Sequence, residues 1–171
     1  SLMQGTDGKA GDSSAKDPVD RESSTVQAIV SYFPPTDFLN YGKEGQHFDK
    51  WVRELMLGRN PYLAALDFRW FDKQKQLIVK IEDDAEINRL LKESSPITHV
   101  TEDDAPVLII HGDADLLVPI QQAKRILKKY KEAGVESELL VMPGKNHGWK
   151  AEPDELKRFG DWFDKHILLE K

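Results

Sequence analysis

Residues 106–110, with the sequence PVLII, are apolar without interruption, and this run limits the fold more than any other part of the chain. A strand with one face in solvent alternates apolar and polar side chains, whereas a parallel strand covered on both faces does not. The polar sequence HGD follows the run at once and marks its end. We therefore expect a short buried strand in a parallel sheet.

The other patterns place strands and helices alternately along the chain. Residues 26–33 are β-branched and aromatic and predict a first strand, which two prolines end. After the strand at residues 106–110, an apolar stripe in residues 121–132 predicts a helix. Residues 138–142 predict a third strand, and residues 156–167 a last helix. This order predicts an α/β fold with a parallel sheet.

A long interval, residues 36–100, separates the first two strands. Apolar residues recur at helical spacing in residues 48–56 and 85–92, and both segments predict helices. Residues 75–82 alternate imperfectly, which leaves a short strand open as an alternative. We expect the interval to be mostly helical.

The composition excludes several classes of protein. The chain of 171 residues has no cysteine, which excludes a disulfide framework, a thiol nucleophile and an iron–sulfur site. Its net charge of −6 argues against a general nucleic-acid binder, because such binding depends on cationic groups at phosphates. Its apolar runs are far shorter than the ~18 residues of a membrane-spanning helix. We expect small-molecule chemistry, with no nucleic-acid partner and no membrane span.

Two polar clusters follow neighbouring strands of the predicted sheet. The sequence HGDAD occupies residues 111–115, and KNHGW occupies residues 145–149. Parallel strands end at the same edge of a sheet, about 4.8 Å apart, so the two loops should lie side by side. We therefore expect Asp115 to contact His147, and His111 to be a strand-end histidine that bonds to the backbone.

A carboxylate against an imidazole is two-thirds of a nucleophilic triad, because the carboxylate orients the ring and stabilises its protonated form. The third member, a serine in a G-x-S-x-G turn, does not occur in the chain; residues 11–15, GDSSA, have glycine on one side only. Metal binding by His111, Asp113, Asp115 and His147 is less favoured. Alternate residues at a strand end point to opposite faces, so the first three could bind together only across a sharp turn. No glycine-rich phosphate loop follows a strand, and we expect no cofactor.

Residues 106–119, PVLIIHGDADLLVP, and residues 143–149, PGKNHGW, resemble the carboxyl-terminal half of serine α/β-hydrolases. The resemblance is strongest to esterases and to peptidases of the prolyl oligopeptidase type, and it covers most of residues 26–168. It implies that Asp115 is the catalytic acid, with Asp113 as the fallback, and that His147 is the catalytic base. It also implies that residues 36–100 form a cap.

The resemblance further implies that the chain is part of a longer enzyme. Residues 1–25 would be the tail of the nucleophile helix and a flexible loop, and residues 26–171 the carboxyl-terminal part of the hydrolase domain. The expected activity is hydrolysis of a small-molecule ester or acyl substrate, with the nucleophile supplied by an upstream half. The alternatives are a non-catalytic binding module on this scaffold and an acyl-peptide or oligopeptide hydrolase. The compartment stays undetermined, because any signal would lie upstream of Ser1.

Overall fold

The computed structural model of the chain describes residues 2–48 and 68–168. The strands are β1 (Ile29–Tyr32), β2 (Arg69–Asp72), β3 (Leu77–Lys80), β4 (Val107–Gly112) and β5 (Ser137–Met142). The α-helices that lie within these two ranges are α1 (Leu2–Thr6), α2 (Asp84–Glu93), α3 (Gln121–Glu132) and α4 (Pro153–Phe163). Short 3-10 helices occur at Val19–Arg21 and Pro96–Thr98, and a π-helical turn, Asp164–Leu168, follows α4. No helix in these two ranges is long and apolar enough to cross a membrane.

Strands β1, β4 and β5 form a parallel sheet in the order β1-β4-β5, which confirms the predicted α/β architecture. Val107 pairs with Ile29 on one side and with Ser137 on the other. The central strand β4 is buried along its whole length, as its uninterrupted apolar run predicted.

Helices cover both faces of the sheet, which is why β4 has no polar alternation. On one face, Val107 and Ile109 pack with the apolar stripe of α3 and with Leu2 of α1. On the other face, Leu108 and Ile110 pack against Trp162 of α4. Burial of one such aliphatic side chain stabilises the fold by about 2 kcal/mol.

The first turn of α3 holds the segment that follows β1. The side-chain carbonyl of Gln122, which is fully buried, accepts hydrogen bonds from the backbone N–H groups of Thr36 (2.9 Å) and Asp37 (2.7 Å). Its amide nitrogen donates to the carbonyl of Asn40 at 2.9 Å. These bonds satisfy buried backbone groups outside the sheet and fix the path of the chain beyond the end of β1.

The interval expected to be mostly helical contains an antiparallel hairpin, β2–β3, before α2. Asp72 Oδ1 accepts from the amides of Gln74 and Lys75, and Gln76 adopts a φ of 53°, so local side-chain bonds close the turn. The imperfect alternation in residues 75–82 was the correct signal. The helix predicted over residues 48–56 lies almost wholly outside the described residues.

Several element bounds differ from the sequence expectation. The first strand begins at Ile29 rather than at residue 26, and the central strand extends through His111 to Gly112. Helix α1 continues to Thr6, and residues 7–28 then connect it to the sheet with one 3-10 turn. Helices α2 and α3 agree with the predicted segments to within one residue at each end.

Candidate active site

Asp115 lies in the loop after β4 with its side chain fully buried. Its Oδ1 atom accepts hydrogen bonds from the backbone N–H groups of Leu117 (2.9 Å) and Val118 (2.8 Å). This is the local turn that aspartate forms with amides two and three residues ahead. One carboxylate oxygen therefore anchors the loop, and the other, Oδ2, is free to face a second residue.

That second residue is His147, in the loop after β5. Its Nδ1 atom lies 2.9 Å from Asp115 Oδ2, so the structure brings the two predicted site residues together. A carboxylate can only accept here, which assigns the proton to Nδ1 and leaves Nε2 of the neutral ring as an acceptor. Among the described residues, none forms a hydrogen bond with Nε2, and 30% of the side chain is exposed.

The two loops approach each other closely at their bases. A Cβ atom at Gly112 would lie 2.2 Å from the carbonyl oxygen of Lys145, so only glycine fits there. The same oxygen accepts from Ala114 N at 3.1 Å. Asp113, the fallback acid, accepts from Gly144 N at 2.6 Å and so forms a further hydrogen bond between the loops.

A third contact between the loops comes from the side chain of Asn146. Its Oδ1 atom accepts from the backbone N–H groups of Leu116 at 3.0 Å and of His147 at 2.7 Å. Asn146 was not among the residues predicted for the site, although its place beside the predicted base was a signal. The acid and the base are thus connected through backbone as well as through their own side chains.

His111 is a fully buried histidine at the end of β4. Its Nε2 atom lies 2.8 Å from the carbonyl oxygen of Val118, which confirms the prediction of a strand-end histidine bonded to backbone. A carbonyl only accepts, so Nε2 carries the proton, and Nδ1 has no partner in the part of the chain that is described. Burial lowers the pKa of His111 against the opposing effects of this bond and of the Asp115 charge, and the ring is neutral at pH 7.

Aromatic side chains pack beside the partly exposed His147. The ring of Phe33, directly after β1, has its centroid 4.4 Å from that of the imidazole and 5.3 Å from that of Trp149. Trp149 donates from Nε1 to the buried Glu155 of α4 at 2.9 Å. Phe33 was not among the residues predicted for the site; its position at the carboxyl end of a strand beside β4 was the available signal.

The charge of Glu155 also acts on Tyr32, the last residue of β1. Burial, together with the neighbouring Glu155 carboxylate, raises the pKa of Tyr32 to about 12. Tyr32 therefore remains protonated at neutral pH.

Within the two described ranges, no group of three or more His, Asp or Glu side chains is placed to hold a metal ion.

The sheet with its flanking helices is part of an α/β-hydrolase fold. A solved structure described as a truncated form of a carbohydrate esterase from gut microbiota matches 97% of this chain, with a TM-score of 0.66 and 21% identity. The profile of the BD-FAE family matches residues 1–130, and the chain belongs to this family.

Two curated relatives extend the comparison to peptidases. Acylamino-acid-releasing enzyme 1 of Oryza sativa subsp. japonica is 33% identical over 78 residues, which cover 44% of this chain and 10% of that protein. The uncharacterized peptidase YuxL of Bacillus subtilis (strain 168) is 25% identical over an alignment covering 92% of this chain and 27% of that protein. The chain thus spans 10% and 27% of the lengths of these two proteins, and 55% of the carbohydrate esterase chain.

Proposed function

We propose that the protein carrying this chain is a serine hydrolase that cleaves carboxylic esters, with Asp115 and His147 as the acid and base of its triad. One observation carries the proposal: His147 Nδ1 lies 2.9 Å from the buried carboxylate of Asp115. Because Nδ1 is engaged by Asp115, Nε2 is the ring nitrogen left to take a proton from a nucleophile.

The mechanism follows from this proton assignment. His147 Nε2 takes the proton of a serine hydroxyl as the serine oxygen attacks the ester carbonyl, and Asp115 stabilises the imidazolium that forms. The same proton then passes to the leaving alcohol as the ester bond breaks and an acyl-enzyme remains. Nε2 next takes a proton from water, whose oxygen attacks the acyl-enzyme, and returns that proton to the serine.

We place the nucleophilic serine outside these 171 residues, because none of the serines in the chain stands in a G-x-S-x-G sequence. In this proposal the rest of the protein also supplies the groups that stabilise the oxyanion. The chain alone is then inactive toward esters.

Support for an ester substrate comes from the fold shared with a carbohydrate esterase. A second candidate, hydrolysis of acylated peptides, is favoured by the similarity to a rice acylamino-acid-releasing enzyme. Both reactions use the same acid and base, so the substrates must be compared directly. An aryl acetate and an N-acetylaminoacyl anilide, assayed side by side, separate the two candidates by their kcat/KM values.

The decisive experiment compares His147→Ala and Asp115→Asn with the parent in the complete protein. We expect both variants to lose at least about 10³-fold in kcat, as removal of triad members does in other serine hydrolases. His99→Ala is the matched control, because His99 bonds through Nε2 to the backbone of Glu93 and should leave the rate unchanged. Equal rates in all four proteins would refute the assignment.

Labelling with a serine-directed phosphonate tests the nucleophile separately. The complete protein should be labelled, whereas the 171-residue chain alone should not. A complete protein that binds ester analogues but resists labelling and has no hydrolase activity would instead support a non-catalytic binding module.

A further inference from the structure

Asn146 occupies a position between the two residues of the acid–base pair. Its Oδ1 atom bonds at 3.0 Å to the amide of Leu116, the residue that follows Asp115, and at 2.7 Å to the amide of His147 itself. One oxygen with two lone pairs can accept both bonds at once. A single side chain therefore joins the backbone of the acid loop to the backbone of the base.

The location of this contact distinguishes it from the other bonds between the loops. Ala114 and Asp113 bond to Lys145 and Gly144, near the points where the loops leave β4 and β5. The bonds of Asn146 lie further along both loops, at Leu116 and His147, next to the acid and the base. Apart from it, the hydrogen bond that joins His147 itself to the acid loop is the one between Nδ1 and Asp115, whose geometry the mechanism requires.

We propose that Asn146 is a positioning residue, which fixes the distance and angle between Asp115 and His147 by clamping the two loops through one side-chain oxygen. The inference rests on the proposed function, since it assigns a role within the same site. Asn146 does not touch reacting atoms, so its effect should appear in kcat rather than in KM.

Asn146 is exposed, so its variants should fold. We expect Asn146→Ala to lower kcat roughly tenfold with KM nearly unchanged, because small displacements of a catalytic group are costly. Asn146→Asp keeps an acceptor oxygen at the same place and should recover most of that loss. Its added carboxylate also stabilises the His147 imidazolium, so the acid limb of its kcat–pH profile should move to higher pH.

The variants leave the neighbouring titratable groups in place, including the buried His111 of β4, which interacts electrostatically with His147. Asp115 faces His147 directly, Asp113 bonds to Gly144, and Lys145 pairs with Glu152 just before α4 at 2.8 Å. A shift of the pH profile in Asn146→Asp that is absent in Asn146→Ala is therefore attributable to the new charge.

A spectroscopic measurement on the complete protein tests the positioning without relying on turnover. With ¹⁵N-labelled histidine, the parent should show His147 protonated at Nδ1 in its neutral form, and Asn146→Ala should show a mixture of the two tautomers. Asp72→Ala is the matched control, because Asp72 also accepts from two backbone amides, in the β2–β3 turn. It should change neither the rate nor the tautomer.

The outcomes separate this inference from the proposed function. A parental kcat and an unchanged Nδ1–H tautomer in Asn146→Ala would overturn the positioning role. If His147→Ala kept its activity while Asn146→Ala still altered the tautomer, the proposed function would fail and the clamp would remain. Failure of Asn146→Asp to recover the rate at any pH would also count against the clamp.

Discussion

The ring of Phe33 packs against the imidazole of His147 at a centroid distance of 4.4 Å, and Phe33 makes this contact from a backbone φ of 37°. A bulky residue in the left-handed region is strained by ~1–3 kcal/mol, and such strain is concentrated at functional sites. The hydrogen bond from Phe33 N to the carbonyl of Ile110, at 2.8 Å, holds this conformation at the end of β1. The strain is thus tied to the placement of a ring beside the proposed base.

Phe33→Leu should lower kcat/KM of the complete protein about tenfold, because it removes the ring contacts with His147 and Trp149 while the backbone stays strained. Steady-state ester hydrolysis measures the change. Phe33→Tyr keeps the ring and should stay within about threefold of the parent. Equal losses in the two variants would show that the ring contact is not what matters.

Gly112→Ala should lower the free energy of unfolding by about 1–3 kcal/mol, as over-packing does in other proteins. The reason is that the new Cβ would meet the carbonyl oxygen of Lys145 at 2.2 Å and push the two site loops apart. Urea denaturation measures the loss. Gly160→Ala is the control: it lies in α4 with nothing within 4 Å of the added Cβ, and it should stabilise the protein by about 0.5–1 kcal/mol.

His111 should make the protein less stable in mild acid. Burial lowers its pKa from the ordinary value of 6.5, so the unfolded chain binds more protons than the folded one as the pH falls below that value. The stabilisation is therefore complete above about pH 6.5 and is lost as the pH falls toward the pKa of the folded state.

His111→Gln supplies the test, because its side-chain amide can still donate to the Val118 carbonyl but does not titrate. Urea denaturation at about pH 7.5 and about pH 5 should give a smaller loss of unfolding free energy for the variant than for the parent. An identical loss in both proteins would mean that His111 does not contribute to the acid sensitivity.

Tyr32 should make the protein less stable in alkali. Its pKa is raised from 10.0 to about 12, so between these values the folded state holds a proton that the unfolded state has lost. The stabilisation is present below about pH 10 and is lost as the pH rises through the pKa of the folded state. Tyr32→Phe should therefore lose less stability than the parent between about pH 9 and about pH 11, as measured by circular dichroism during denaturation.

Local patterns in the sequence were sufficient for much of the fold. The unbroken apolar run of β4 and the helical stripe of α3 each report a periodicity that burial imposes directly on the residues. The β2–β3 hairpin was harder to predict, because its turn depends on side-chain bonds from Asp72 rather than on glycine or proline.

The sequence by itself determined that Asp115 and His147 follow neighbouring parallel strands, and parallel geometry alone brings such residues to one edge of a sheet. Only the tertiary structure decided how that pair is held. The Asn146 clamp and the Phe33 ring contact depend on loop paths and on one strained φ angle, which leave no periodic trace in a sequence. Contacts of this kind depend on the three-dimensional positions of a few atoms. They can therefore be identified only once the structure of both loops is known.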